Sequence, residues 1–291
     1  MASITIGHAS DVGKKRSHNE DAYFALLPPN TPEGVDALLA VADGMGGHQA
    51  GEVASNIAVN VIADRFSVKA TTLIPGGDKY EGLLRSIVEQ ANTEILSQGT
   101  GEAKGMGTTL TVVLIANGYL YYGHVGDSRA YVLRRGSLRA ITKDHSWVAE
   151  EVRAGRLTEK EAAGHPRRNM ITRALGSESS VVVDTGSLQL FPDDRILLSS
   201  DGLHGVINDA YIVKVLKKHK NLKSATDKLV EAANSNGGPD NVTVILARFP
   251  IKDSTEHAKR KSEKTNNTSA IPTVKSKRER PWWKLFGSKQ K

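Results

Sequence analysis

Two hydrophobic periods alternate along the chain. Ser3–Ser10 and Asp21–Leu27 alternate as strands, the second closed by Pro28-Pro29. Leu38-Leu39-Ala40-Val41-Ala42 is apolar throughout and runs into Asp43-Gly44-Met45-Gly46-Gly47-His48, the pattern of an interior strand that delivers a carboxylate to an open edge. Helical spacing follows: Val53, Ile57, Ala58, Val61 and Ile62 share one face over Glu52–Phe66. After Pro75-Gly76-Gly77, the residues Leu83, Leu84, Ile87, Val88, Ala91 and Ile95 mark a second amphipathic helix. From Gly107 to Thr142 the signal is β, with Asn117-Gly118, Gly126-Asp127 and Arg135-Gly136 reading as hairpin turns of one antiparallel meander. A charged, helix-compatible segment spans 144–170, and insertions of this kind often lie beside sites. Strands at Gly186–Leu190 and Arg195–Ser200, helices at Asp209–Lys218 and Ser224–Asn234, and a strand at Val242–Phe249 complete the pattern.

Strand runs flanked by helix pairs predict an α+β fold: a central sandwich of two antiparallel β-sheets with helix pairs outside, four layers in the order αββα. Apolar patterning stops near residue 250. This divides the chain into a folded domain, 1–250, and a basic tail, 251–291, of disordered composition with a Trp-rich end.

Charge changes the picture only in the tail. Residues 252–291 hold 12 Lys/Arg against 4 Asp/Glu, which leaves 27 against 28 in the body. The body is therefore near neutral although the whole chain carries +7, and nucleic acid is not an expected partner. The absence of cysteine removes disulfides, thiolate metal sites and cysteine nucleophiles, and fits a reducing cytoplasm. The N-terminus has neither the basic start nor the apolar run of a signal peptide, and no apolar run is long enough to span a bilayer.

Five aspartates, Asp21, Asp43, Asp127, Asp201 and Asp240, fall at predicted strand ends or the turns beside them. As turn formers each would be explained singly, but their shared placement would not. Converging carboxylates without matching cations repel one another, and hard divalent ions with oxygen ligands relieve that repulsion. Oxygen-only donors favour Mg2+ or Mn2+ over zinc. Two such ions can share a water and lower its pKa. Arg16 suits a phosphate, since a guanidinium meets phosphate oxygens bidentately.

The ordered motifs Arg16 with Glu20-Asp21, Asp43-Gly44-Met45-Gly46-Gly47, Gly107-Thr108-Thr109, Gly126-Asp127-Ser128-Arg129, Ser200-Asp201-Gly202 and Pro239-Asp240-Asn241 resemble those of the PPM-family (type 2C) metal-dependent serine/threonine protein phosphatases, of the compact bacterial kind. The resemblance runs from about Ser3 to Phe249. It implies hydrolysis of phosphoserine and phosphothreonine by in-line attack of a metal-bridged water or hydroxide, reversing serine/threonine kinase signalling on phosphorylated proteins. It implies two Mn2+ or Mg2+ ions: Asp43 bridges them, the Gly44 carbonyl ligates one, and Asp201 and Asp240 complete the second. Glu20 and Asp21 act on the first ion's waters or second shell, Asp127 supports a third ion with Asp201, and Arg16 holds the substrate phosphate. It also makes 144–170 a flap beside the site, bearing His165, Arg167 and Arg168. Animal members carry a histidine where Met45 stands here, and that role does not transfer to His48. His124 and His165 are likewise expected to take no catalytic part.

A catalytically weak phosphoprotein-binding or regulatory relative is the alternative; it would lack a ligand, and none is missing. A nucleic-acid phosphodiesterase would need a basic groove, which the body's charge opposes. The chain is expected to be a cytoplasmic monomer. Trp282-Trp283 and Leu285-Phe286 stand beside Lys275, Lys277, Arg278, Arg280 and Lys284, which suggests a tail that meets an anionic membrane surface at the inner face, or an acidic protein.

Overall fold

The computed structural model describes residues 3–46, 50–66, 79–99 and 105–250. Gly47, His48 and the tail lie outside the described residues. Two antiparallel sheets form the centre. The five-stranded one has the order β1 (Thr5–Asp11), β11 (Val242–Arg248), β10 (Arg195–Ser199), β7 (Arg129–Arg134), β8 (Ser137–Ala140). The six-stranded one runs β2 (Asp21–Leu26), β3 (Ala37–Met45), β5 (Leu110–Ala116), β6 (Tyr119–Val125), β9 (Asp184–Gln189), with the short β4 (Gly107–Thr108) on the end of β3.

Strand alternation sorts the side chains into three cores. Ala37, Leu39 and Val41 of β3 meet Ile196, Leu198 and Ile245 between the sheets. Leu38, Ala40 and Ala42 point the other way, against α1 (Ala50–Arg65) and α2 (Lys79–Gln98), where Ala54, Ala58, Ile62, Leu84, Ile87 and Val88 are buried. Both faces of β3 are thus dry, and this accounts for its unbroken apolar run. On the far side Leu197, Val242, Val244 and Leu246 pack against α6 (Asp209–Lys218) and α7 (Leu222–Ser235).

The predicted meander of Gly107–Thr142 is corrected in one place. Asn117-Gly118 and Arg135-Gly136 are hairpin turns with both residues at positive φ, as β5–β6 and β7–β8 require. Gly126-Asp127-Ser128, however, carries the chain from the six-stranded sheet to the five-stranded one, because β6 and β7 do not pair with each other. The link is drawn against β5: Thr109 Oγ1 and Ser128 Oγ are 2.7 Å apart, and a Cβ on Gly126 would sit 2.5 Å from the Thr109 side chain. The sequence reading also contains no helix at α5 (Asp201–His204), a single turn after β10 that is too short for an apolar period. In the insertion, α3 (Trp147–Arg153) and α4 (Glu159–Ala163) are capped by Ser146 and Thr158.

Candidate metal centre

Antiparallel pairing brings the aspartates to one end of the sandwich. The β2–β3 register sets Asp21 opposite Asp43. On the other sheet the end of β10 meets the start of β11: Ser200 N donates to Thr243 O at 3.1 Å and Thr243 N to Ser200 Oγ at 3.0 Å. Asp201 and Asp240 therefore leave their strands side by side. The two sheets are joined across this end. Ser200 Oγ donates to Asp21 Oδ2 at 2.7 Å, and Asn241 accepts from Glu20 N at 2.9 Å while donating to the carbonyls of Val12 and His18 at 2.9 and 2.8 Å.

The turns need glycine for close approach. A Cβ on Gly202 would lie 1.9 Å from Asn241 O, and one on Gly44 would lie 2.1 Å from Gly51 O. Behind Asp43, its amide donates to Thr109 Oγ1, and its carbonyl accepts from Thr108 Oγ1 and Thr109 N, each at 2.9 Å. The Gly107-Thr108-Thr109 motif is thus a backbone clamp on Asp43, and through Ser128 it reaches the Asp127 turn.

Electrostatics show what the site can hold. Burial above all, followed by the charges of Asp21, Asp201, Asp127 and Asp240, holds the Asp43 carboxyl well above the usual carboxylate range. Burial, with Asp201 and Asp240 adding to it against hydrogen bonds from Ser200 and Thr243, pushes Asp21 up to about 7. Burial and Asp201 push Asp127 up to about 7, and burial and Asp240 push Asp201 up to about 6. Asp43 and Asp201 lie within hydrogen-bonding reach of each other. Three buried oxygens, Asp21 Oδ1, Asp127 Oδ1 and Asp201 Oδ1, have no hydrogen-bond partner. Orphaned carboxylate oxygens among mutually repelling carboxyls fit divalent cations. Among the described residues no three acidic or histidine side chains close on a single point. An ion here would therefore complete its shell with solvent and backbone carbonyls, as hard cations commonly do.

Arg16 stands at the rim with about half its side chain exposed, and its Nη2 donates to Asp240 Oδ2 at 2.9 Å. Glu20, beside it, has its carboxyl raised by burial against the opposing pull of Arg16. Gly44 N donates to the Glu20 carbonyl at 3.1 Å, which fixes the Asp-Gly turn to the start of β2. Every carboxylate singled out from the sequence is therefore at this end. The flap residues gather instead around Trp147: the His165 ring lies 4.8 Å from it, the Arg167 guanidinium 5.1 Å over it, and Arg168 is exposed.

Sequence reasoning gave no role to Ser200, Thr109 or Asn241, although all three lie in its motifs. It also missed His204, which is half-buried at the end of α5 with its Nδ1 3.3 Å from Ser199 Oγ, and is lowered to about 3, chiefly by desolvation. His124 is structural: its ring bonds Thr111 and the Lys143 carbonyl, and burial lowers it to about 4.

The protein phosphatase 2C family matches residues 13–247. The serine/threonine phosphatase stp of Listeria monocytogenes is 39% identical over 240 residues, 81% of this chain and 92% of that one. Among solved structures, the S. agalactiae serine/threonine phosphatase superposes with a TM-score of 0.77 at 35% identity, covering 86% of this chain and 100% of the other. The catalytic domain of the serine/threonine protein phosphatase PstP, solved with two manganese ions, superposes at 0.74 with 37% identity, covering 86% and 100%. The chain belongs to the protein phosphatase 2C family.

Proposed function

We infer that this chain is a metal-dependent protein serine/threonine phosphatase, acting on phosphoserine and phosphothreonine with Mn2+ or Mg2+. The observation that carries the reading is the set of aspartates from both sheets meeting at one end with three buried, orphaned carboxylate oxygens. Residues 1–250 are the phosphatase domain. Asp43, Asp201 and Asp240, with the Gly44 carbonyl, are the proposed ligands of two ions; Glu20 and Asp21 bind the first ion's waters, and Asp127 with Asp201 takes a third. Bound divalent ions supply the positive charge that offsets the carboxylates and lower the pKa of water. Arg16 orients the substrate: its fork already sits 2.9 Å from Asp240, so a phosphate bound there lies beside the ligand set. A regulatory relative without activity would lack one of these side chains, and the chain carries all of them.

A phosphothreonine peptide should release phosphate in Mn2+, stop in excess chelator, and resume when Mn2+ is restored. No phosphate label should remain on the protein. Chelator-resistant turnover or a covalent phosphoenzyme would overturn the reading.

For the tail we propose reversible attachment of a cytoplasmic, monomeric enzyme to an anionic membrane face. Two tryptophans beside basic residues support this, since indoles favour the headgroup region and each Lys or Arg near the surface contributes about 1 kcal/mol. Among the described residues no helix is long and apolar enough to cross a membrane. The full chain should sediment with phosphatidylserine vesicles at low salt, less so as salt rises, and a chain ending at Phe249 should not. Equal sedimentation of both would end the membrane role, and an acidic protein partner would be the remaining occupant.

A further inference from the structure

One buried histidine outside the ligand set joins the flap to the loop that carries Asp127. His145 is 2% exposed and immediately precedes the capped start of the flap. Its backbone N donates to Gly126 O at 2.8 Å, and Gly126 N donates back to the ring Nδ1 at 3.0 Å. The same residue's carbonyl accepts from Thr172 N at 2.8 Å, and Trp147 N donates to Met170 O at 2.8 Å, so the two ends of the flap are closed at His145.

An Nδ1 that accepts an N–H carries no proton, which puts the proton of the neutral ring on Nε2. Nε2 lies 3.3 Å from Asp184 Oδ2 on β9. Arg173 Nη1 is 2.9 Å from Nε2 but directs its two N–H groups to Val182 O at 3.0 Å and Asp184 Oδ1 at 2.8 Å, so both groups converge on one carboxylate. Burial, reinforced by Arg173, lowers the His145 pKa and favours the neutral ring. The chain of contacts is therefore Asp184 to His145 to the Gly126 amide, one residue from the orphaned Asp127 Oδ1.

We propose that His145 is a positioning residue for the phosphatase reaction: its Nδ1 holds the Gly126 amide and so fixes where the Asp127 carboxylate stands relative to the closed base of the flap. This rests on the reading of Asp127 as an ion ligand. Partners that orient a ligand typically alter metal affinity or activity by about 10–100-fold when removed.

Two substitutions separate the bond that matters from the rest of the ring. In His145→Asn the amide Oδ1 can take the place of Nδ1 and accept from Gly126, while the shorter side chain no longer reaches Asp184. In His145→Gln the longer side chain reaches toward Asp184 and leaves Gly126 unpaired. Phosphopeptide turnover is measured against Mn2+ concentration for both, for Asp127→Ala, and for the double variant Asp127→Ala/His145→Gln. His145→Gln should lose about 10–100-fold in kcat or in Mn2+ half-saturation, with KM for the peptide unchanged, and His145→Asn should restore most of it. The double variant should match Asp127→Ala alone, because two residues acting through one group are not additive. If Asp127→Ala leaves the rate and Mn2+ dependence untouched, the ligand reading of Asp127 fails. If it shifts them while His145→Gln and His145→Asn behave alike, or the double variant is additive, the ligand reading stands and the role of His145 is overturned. Nitrogen-15 NMR of the wild-type imidazoles gives a test that needs no variant: His145 should be unprotonated at Nδ1, and a proton there would equally overturn the proposal.

Discussion

Asp43→Asn is expected to slow phosphopeptide hydrolysis by on the order of 10³-fold while making the ion-free protein more stable. The loss follows from the several kcal/mol of charge stabilisation that a catalytic metal contributes, at about 1.36 kcal/mol per factor of ten. The gain in stability follows from the ground state. Asp43 is crowded by Asp21, Asp201, Asp127 and Asp240 at a half-buried site, so at a pH where the set ionises a neutral amide of the same shape removes repulsion that an ion otherwise relieves. A gain of about 1–2 kcal/mol in chelator at pH 8 is in the range of single stabilising changes. In saturating Mn2+ the order should reverse, because the wild type gains more from binding. Thermal melts of both proteins with and without Mn2+ read this crossing directly. A variant less stable than wild type in chelator would show that Asp43 serves the fold and not an ion.

The ion-free wild type should lose stability as pH rises from about 4 to about 7, the opposite of a protein held by ion pairs. Asp21 and Asp127 titrate at about 7 and Asp201 at about 6 when folded, above the ordinary carboxylate value. Across that window the folded protein binds more protons than the unfolded chain, so stability falls with pH and levels off above the folded values. Two sets of groups work the other way. Asp144 and Asp184 are held below the usual range by Arg129 and Arg173, so their contribution is lost only in more acid solution. His124, His145 and His204, lowered mainly by desolvation, add stability as pH rises toward the ordinary histidine value and make the fall shallower. Saturating Mn2+ should flatten the fall, since it binds the deprotonated set. At 100 times its Kd an ion adds about 2.7 kcal/mol, on the order of 5–10 °C in Tm for a domain of this size. A change in melting temperature between pH 5 and 7 in chelator that is the same in Asp127→Asn as in the wild type would contradict the raised Asp127 carboxyl.

Much of this was legible before the structure. The four-layer architecture shows in the chain because β3 is apolar on both faces and α2 carries a single apolar stripe. The face predicted for α1 is misplaced, since the helix buries Ala54, Ala58, Val59 and Ile62 and leaves Val53 exposed. The carboxylates could be picked out because each stands beside a point where a strand-like run starts or stops. What stayed hidden is long-range. Ser200 donates to Asp21 across 179 residues of sequence and Asn241 accepts from Glu20 across 221, and no local pattern encodes such bonds. Gly126-Asp127 was misplaced as a hairpin because a Gly-Asp pair reads the same at a turn within one sheet and at a crossing between two. His145 sits in a charged insertion with no periodicity, and only the Gly126 hydrogen bond reveals what it holds.

Anomalous diffraction from crystals soaked in Mn2+ tests the central claim most directly. Peaks in coordination distance of the Asp43 carboxylate and of Asp201 and Asp240 are predicted, with both abolished in Asp43→Asn. Peaks elsewhere, or unchanged peaks in that variant, would contradict the assignment of this end of the sandwich as the metal centre.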